Sequence, residues 1–432
     1  MAEDRGVLRQ IAWTELFPWL ALGRSFRLAI QTRLLLLAAA GILLTAAGWG
    51  AIGYVFGGHD LRGHWDPVKQ VWRQPDSNLL TLATSAPPAA NESSSFERFA
   101  AQIGPLAMPW YMLSSPFQGL FAAEFAPRIG EDHPTPAATL QGFTSLLLCG
   151  LWTTAIWAFF GGVITRLVTL QFTHNDRASL GAAVRFVRAR YGSYVAAPLF
   201  PLFGVLLLSL PVVIISLIGH GGAGGMAALG VLWPLFMIVG LALTIFVIGL
   251  IFGWPLMWPT ISTEGTDSFD ALSRSYSYAY QRPLYFAFLI VATGILATIG
   301  AILVTLFADV VLYLTAWTVS WGAGGTPLSP GALDGMQETY PTAVKLVSFW
   351  TATVGLLVLA YFYSFFFTAA VIIYHLLRHN VDGAEMDEVF LDPQEEQYGL
   401  PPVTTDENGV PAVVNEGGRV GAAATSEAPP AE

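Results

Sequence analysis

The chain has 432 residues, of which 54% are hydrophobic and 12% charged, and its formal charge is −10. A water-facing globular surface carries roughly a quarter charged residues, so much of this chain's surface is expected to face lipid. The acidity belongs to a tail: residues 379–432 hold twelve acids and one base, Arg419, while the other 378 residues hold 19 bases and 18 acids. No part is basic enough for nucleic acid, and Cys149, the single cysteine, excludes an intramolecular disulfide and a cysteine-based metal site.

Residues 1–33 form a cytoplasmic, amphipathic N-terminal segment containing Arg5, Arg9, Arg24, Arg27 and Arg33. Leu34 to Phe56 follows as 23 residues without a charge, about 34 Å of helix. Cleavage near Ala46-Ala47-Gly48 would need a 33-residue leader ahead of the apolar run, so the run reads as a spanning helix and not as a signal peptide. Residues 57–140 are the one long outer loop. Within it, Ile103 to Phe125 is apolar but interrupted by Pro105, Pro109 and Pro116, as expected of a re-entrant or interfacial segment.

Further spans are expected at 143–170, 195–218, 227–253, 284–307 and 345–374, the third and fourth joined by the glycine-rich turn Gly219–Gly225. The apolar stretch after the fifth span continues to Trp321 past Asp309, too long for one straight crossing, so a break or interfacial piece is expected near Asp309. The membrane domain thus covers 34–378, and 379–432 is an acidic, disordered cytoplasmic tail, Pro- and Gly-rich from Asp392 on. Arginines precede the first, third and fifth spans and follow the sixth, which places both termini in the cytoplasm. Only Lys69 and Lys345 are lysines among the twenty bases; with the high Ala and Gly content this reads as bacterial, and so as an inner-membrane protein.

A pattern recurs ahead of the outward-going spans. Ala21-Leu22-Gly23-Arg24-Ser25-Phe26 is echoed by Ala271-Leu272-Ser273-Arg274-Ser275-Tyr276 and, more faintly, by Ala182-Ala183-Val184-Arg185-Phe186. Apolar residues fall at helical spacing: Trp19/Leu22/Phe26/Ile30, Leu180/Val184/Val187/Tyr191 and Phe269/Leu272/Tyr276/Tyr280. The expected fold is therefore all-α: a polytopic membrane bundle of about six transmembrane helices, built as three hairpins, each preceded by a cytoplasmic interfacial helix. In those helices Arg24, Arg185 and Arg274 are expected to face lipid headgroups, with the apolar stripes turned to lipid. The segment Glu264-Gly265-Thr266-Asp267-Ser268-Phe269-Asp270-Ala271-Leu272-Ser273-Arg274-Ser275 resembles a pattern in uncharacterised bacterial polytopic families, such as the membrane domain attached to some glycerophosphodiester phosphodiesterases. The resemblance covers about 20 residues and implies the six-helix layout. No phosphodiesterase domain is attached, so it implies no catalytic role.

Candidate chemistry is sparse. His59, Asp60, His64 and Asp66, with Glu131, Asp132 and His133, are metal-ligand types at a spacing that matches no established motif. Asp309 is a candidate intramembrane acid, against the plainer reading of an interfacial carboxylate. Arg166 and Lys345 sit near span ends, where they are expected to snorkel. Gly249 and Gly253 fit close helix approach. No phosphate-binding loop, nucleophile elbow or zinc-protease helix occurs, so neither a catalytic site nor a cofactor is expected. A membrane-organising or partner-binding scaffold is the leading expectation, and a transporter or channel for apolar or lipid cargo is the alternative. The lipid bilayer is the one partner the sequence itself indicates.

Overall fold

The structure is a computed structural model and describes residues 17–56, 107–121, 140–174, 179–323, 339–391, 403–405 and 411–413. Among the described residues five stretches are helical, long and apolar enough to cross a membrane: Thr32–Val55, Gln141–His174, Tyr191–Glu264, Pro283–Gly322 and Pro341–Asp382. The chain divides into two units, Met1–Glu388 and Val389–Glu432. The described part of the first unit is helical and contains no strand. In the second unit two short strands, β1 (Val403–Thr405) and β2 (Pro411–Val413), pair antiparallel with Val403 opposite Val413.

In chain order the helices of the first unit are a 3-10 turn Pro18–Gly23, α1 (Arg24–Ala29), α2 (Thr32–Val55), α3 (Ala107–Phe121), α4 (Leu140–His174), α5 (Leu180–Ala189), α6 (Tyr191–Ser216), α7 (Gly222–Glu264), α8 (Ser268–Gln281), α9 (Pro283–Gly322) and α10 (Pro341–Asp382). The long stretch Tyr191–Glu264 is thus two helices. A 3-10 turn, Leu217–Gly221, joins them, and Gly222 at φ 69° makes the reversal that only glycine adopts readily. The chain doubles back there: Gly204 lies against Phe246, and Trp258 Nε1 donates to the Tyr194 carbonyl at 2.8 Å, so α6 and α7 run antiparallel. Left-handed glycines, Gly265 and Gly383, end α7 and α10. Proline at the first position opens α9 and α10.

The short helices α1, α5 and α8 are each set off from the long helix that follows by one residue out of helical geometry. Gln31 is extended (ψ 130°), Arg190 sits at φ −115° and Arg282 at φ −132°. Side chains fix two of the starts: Ser179 accepts from the Ala182 amide at 3.1 Å and Asp267 from the Asp270 amide at 2.9 Å.

Three long helices, α4, α7 and α10, pack on one another as the centre of the unit. Trp157 of α4 stacks on Tyr363 of α10 at 4.8 Å and on Phe367 at 5.4 Å. From α7, Trp258 meets Phe367 at 5.6 Å and Trp254 meets Phe366 at 5.7 Å. Thr165 and Ser262 close the third side, with hydroxyls 2.7 Å apart. The helices α2, α6 and α9 lie outside this triangle. Trp49 of α2 donates to Thr153 of α4 at 2.8 Å, and Gly300 of α9 lets the Tyr361 ring of α10 approach. Each short helix packs on the long helix that precedes it. Tyr276 of α8 rests on Gly249 and Gly253 of α7, and Val187 of α5 on Gly162 of α4. Among the described residues no long helix precedes α1, which packs on α10: the Ser364 hydroxyl donates to the Ala29 carbonyl at 2.8 Å, and Phe26 meets Tyr361 at 6.0 Å.

Three expectations are corrected. The first concerns Asp309. Helix α9 runs unbroken from Pro283 to Gly322, through Asp309; no Gly or Pro interrupts it between Ala301 and Trp321, so nothing removes a rung of its hydrogen-bond ladder. The second concerns the apolar stripes, whose middle residues turn into the protein while their ends, Trp19, Ile30, Leu180, Phe269 and Tyr280, stay exposed. Leu22 is fully buried, Phe26, Leu272 and Tyr276 are half-buried against neighbouring helices, and Ala271 and Ser275 lie beneath them. The burial register repeats: positions 21, 22, 25, 26, 28 and 29 match 271, 272, 275, 276, 278 and 279, and 182, 183, 186 and 187 follow the first four. The third concerns Arg166, which is fully buried and does not snorkel; its helix continues to His174 and α5 covers it.

Helix α3, within the stretch expected to be re-entrant, is 15 residues long, about 22 Å, too short to cross a bilayer. Its Phe117 lies against Gly150 of α4, and Met112 takes the Tyr363 hydroxyl of α10. The histidine–acid group of the long loop, His59 to His133, lies outside the described residues.

Candidate functional site: a buried polar junction

The C-terminal ends of α4, α7 and α10 carry a run of polar residues that the apolar spans lack. On α7, Thr260, Ser262 and Thr263 are fully buried. The Ser262 hydroxyl sits 2.7 Å from both Thr165 Oγ1 and the Tyr194 hydroxyl, and its carbonyl accepts from Arg166 Nη1 at 2.6 Å. The Arg166 guanidinium lies 3.9 Å from the Phe186 ring centre, and Arg190 lies 4.1 Å from the same ring. Phe186 of α5 therefore covers the buried charge with its ring face. Arg190 also donates from Nε to the Gly265 carbonyl at 3.2 Å, tying the residue between α5 and α6 to the end of α7.

One turn further along, Glu264 is the hub of an ion network. Its carboxylate pairs with Arg274 Nη1 of α8 at 2.6 Å and with Arg378 Nε of α10 at 3.3 Å, and it accepts the Tyr374 hydroxyl. Arg378 continues to the Glu388 carbonyl at 2.8 Å and carboxylate at 3.4 Å, and Arg274 to Asp270 at 3.6 Å. The Glu264 side chain is only 8% exposed and that of Arg378 11%. Removing one partner from such a pair typically costs about 3–5 kcal/mol, because the other charge is left buried and uncompensated. At Arg274 partial burial works against the charge, but Glu264, Tyr374 and Asp270 outweigh it and hold the guanidinium above its usual value. Burial, then the hydrogen bond to Asp382, pushes the Tyr278 hydroxyl well above the ordinary tyrosine range. His375 packs its ring 5.4 Å from Phe172, and its Nε2 lies 3.4 Å from Thr263 Oγ1. Among the described residues its Nδ1 and Thr169 Oγ1 have no hydrogen-bond partner.

The residues expected to act at the surface are dispersed. Arg24 is exposed on α1, 5.7 Å from the Phe172 ring, and Arg185 is exposed on α5. Arg274 instead joins the Glu264 network, at 40% exposure. Asp309 is half-buried midway along the far half of α9. Lys345 is exposed near the start of α10. Cys149 is buried. Among the described residues no group of His, Cys, Asp and Glu is placed to hold a metal ion. The sequence reading missed Arg166, Ser262, Glu264, His375 and Arg378 as one cluster. The available signal was the polar run Thr260-Ile261-Ser262-Thr263-Glu264 at the end of an apolar span, where lipid-facing positions have no use for hydroxyls.

The junction contains charges that compensate one another and hydroxyls that bond helix to helix. Its chemistry is that of a clasp between α4, α7, α8 and α10. No family model, curated protein or solved structure matches this chain.

Proposed function

We propose that this chain is a non-enzymatic, six-crossing scaffold of a bacterial inner membrane, organised as three units of a short helix and a helical hairpin, with both termini cytoplasmic. The observation that carries the scaffold reading is the filled centre. Trp157, Tyr363, Phe367 and Trp258 stack between α4, α7 and α10, and the Glu264–Arg378 pair lies at one end of the same three helices. Such a centre suits a rigid body that presents its periphery to lipids and partners. The six-crossing reading rests on the antiparallel pair α6 and α7 and on the arginines that precede α2, α6 and α9. In this reading the short helices run along the cytoplasmic face and α3 enters the membrane without crossing it.

Carriage of apolar or lipid cargo is the second reading. The observation in its favour is the exposed apolar side of α9, which runs from Leu284 to Trp321. That is about 55 Å of helix against a hydrocarbon core of about 30 Å.

Reporter fusions at His59 and after Asn380 are expected to report opposite sides of the membrane; the same side at both overturns the six-crossing layout. Proteoliposomes of the purified protein are expected to hold trapped ions and fluorescent lipid distributions as protein-free vesicles do. Protein-dependent ion leak or accelerated lipid movement overturns the scaffold reading.

A further inference from the structure

The three short helices share one burial register but differ in what they do with their arginines. In α1 the exposed side carries Arg24 and Arg27; in α5, at the same two offsets, it carries Arg185 and Arg188. All four side chains are exposed, and among the described residues no acid lies within ion-pair distance of them. Neither helix has an acid in its first turn. In α8 the first offset is Arg274, which Glu264 holds at 2.6 Å and Asp270 at 3.6 Å, and the second is Ser277. Apolar side chains flank the two free pairs: Trp19, Leu20 and Ile30 stay exposed beside α1, and Leu180 begins α5.

Two arginines three apart on a helix stand about 5–6 Å apart at Cβ, close enough for both guanidiniums to meet one phosphate, whose oxygens suit the guanidinium fork. The exposed Trp and Leu beside them suit the acyl boundary just below a headgroup. We propose that Arg24/Arg27 and Arg185/Arg188 each hold the phosphodiester headgroup of an anionic phospholipid, whereas α8, neutralised from within by Glu264 and Asp270, does not. Two of the three proposed units thus carry a headgroup site. This rests on the membrane reading above. It replaces the expectation of three equivalent headgroup contacts, since Arg274 is committed to the clasp.

The test uses the full-length protein reconstituted in phosphatidylcholine bilayers, probed with spin-labelled phosphatidylglycerol and spin-labelled phosphatidylcholine. The motionally restricted fraction of each probe gives their relative affinity. Wild type is expected to prefer phosphatidylglycerol. R24Q/R27Q and R185Q/R188Q should each lower that preference roughly two- to fivefold, and the quadruple variant should bring it close to one. Should the quadruple variant not fold, the two double variants decide the matter. R274Q is expected to keep the preference while lowering thermal stability. A preference unchanged in both double variants, or lost in R274Q as fully as in a double variant, overturns the proposal. So does its loss on adding inorganic phosphate, compared with chloride at equal ionic strength, because free phosphate would then be the ligand. Absence of any restricted lipid would instead overturn the membrane reading itself.

Discussion

The two ends of the same long helices behave differently. On α10, every residue from Val358 to Arg378 is buried, whereas Leu346, Phe349 and Trp350 at its start are 50–65% exposed. On α7, Leu256 to Thr263 are buried, while Val231, Trp233 and Met237 are 62–81% exposed. Both ends are rich in large apolar side chains, so hydropathy does not separate them. Hydroxyls, aromatic stacks and close-approach glycines do. The polar end holds itself together by packing and hydrogen bonds, and the far end depends on what surrounds it. In lipid, where an apolar surface gains little by leaving its solvent, association rests on such packing and polar contacts.

The sharpest way to break this contrast is a pair of tryptophans. Replacing Trp258, which is 3% exposed, donates to Tyr194 O and stacks on Phe367, by Ala should cost about 3–5 kcal/mol. The same change at Trp233, 62% exposed, should cost about 0.5 kcal/mol or less. Unfolding in detergent, followed by near-ultraviolet circular dichroism, compares them; equal losses would erase the distinction between the ends.

Glycines give a smaller effect. A methyl group at Gly249 would fall within the Tyr276 ring, so Gly249→Ala should destabilise by about 1–3 kcal/mol, and Tyr276→Ala in that background should recover part of the loss. At Gly230 nothing lies within 4 Å of the added carbon, and Gly230→Ala should be neutral or stabilising by up to about 1 kcal/mol. Melting temperatures of the two variants and the double variant read this out.

The smallest effect is a pH dependence confined to the polar end. Tyr278 is held neutral by burial and by its bond to Asp382, and its folded value lies above the unfolded one. Its contribution to stability is therefore complete below about pH 10 and is lost as pH rises toward the folded value. Tyr278→Phe should flatten the fall of melting temperature above pH 10, relative to wild type. An unchanged slope would remove Tyr278 from the account.

The elements with a strong apolar period were legible: Leu34 to Phe56 became Thr32–Val55 with little displacement, and helices occur at the three recurrent segments. Direction was not. A stripe such as Leu22/Phe26 reads alike whether it meets lipid or Tyr361, because both are apolar. Arg166 looked like an end-of-span residue; its burial depends on Phe186 and Ser262, which are distant in sequence. Arg274 looked equivalent to Arg24 and Arg185, but a carboxylate ten residues earlier, Glu264, captures it. A break near Asp309 was expected because the stretch exceeds one straight crossing, but length alone removes no rung from a helix with no Gly or Pro between Ala301 and Trp321.

The seat of α1 has a consequence for synthesis. Ser364 reaches Ala29 across 335 positions of chain, so α1 packs on a helix that leaves the ribosome long after it. At roughly 5–20 residues per second, the ribosome needs on the order of 20–70 s to make the intervening chain. During that time Leu22 and Ala29 have no α10 to cover them. A chaperone or insertase that shelters the region around residues 17–31 during this interval would act on a surface that the finished protein no longer has.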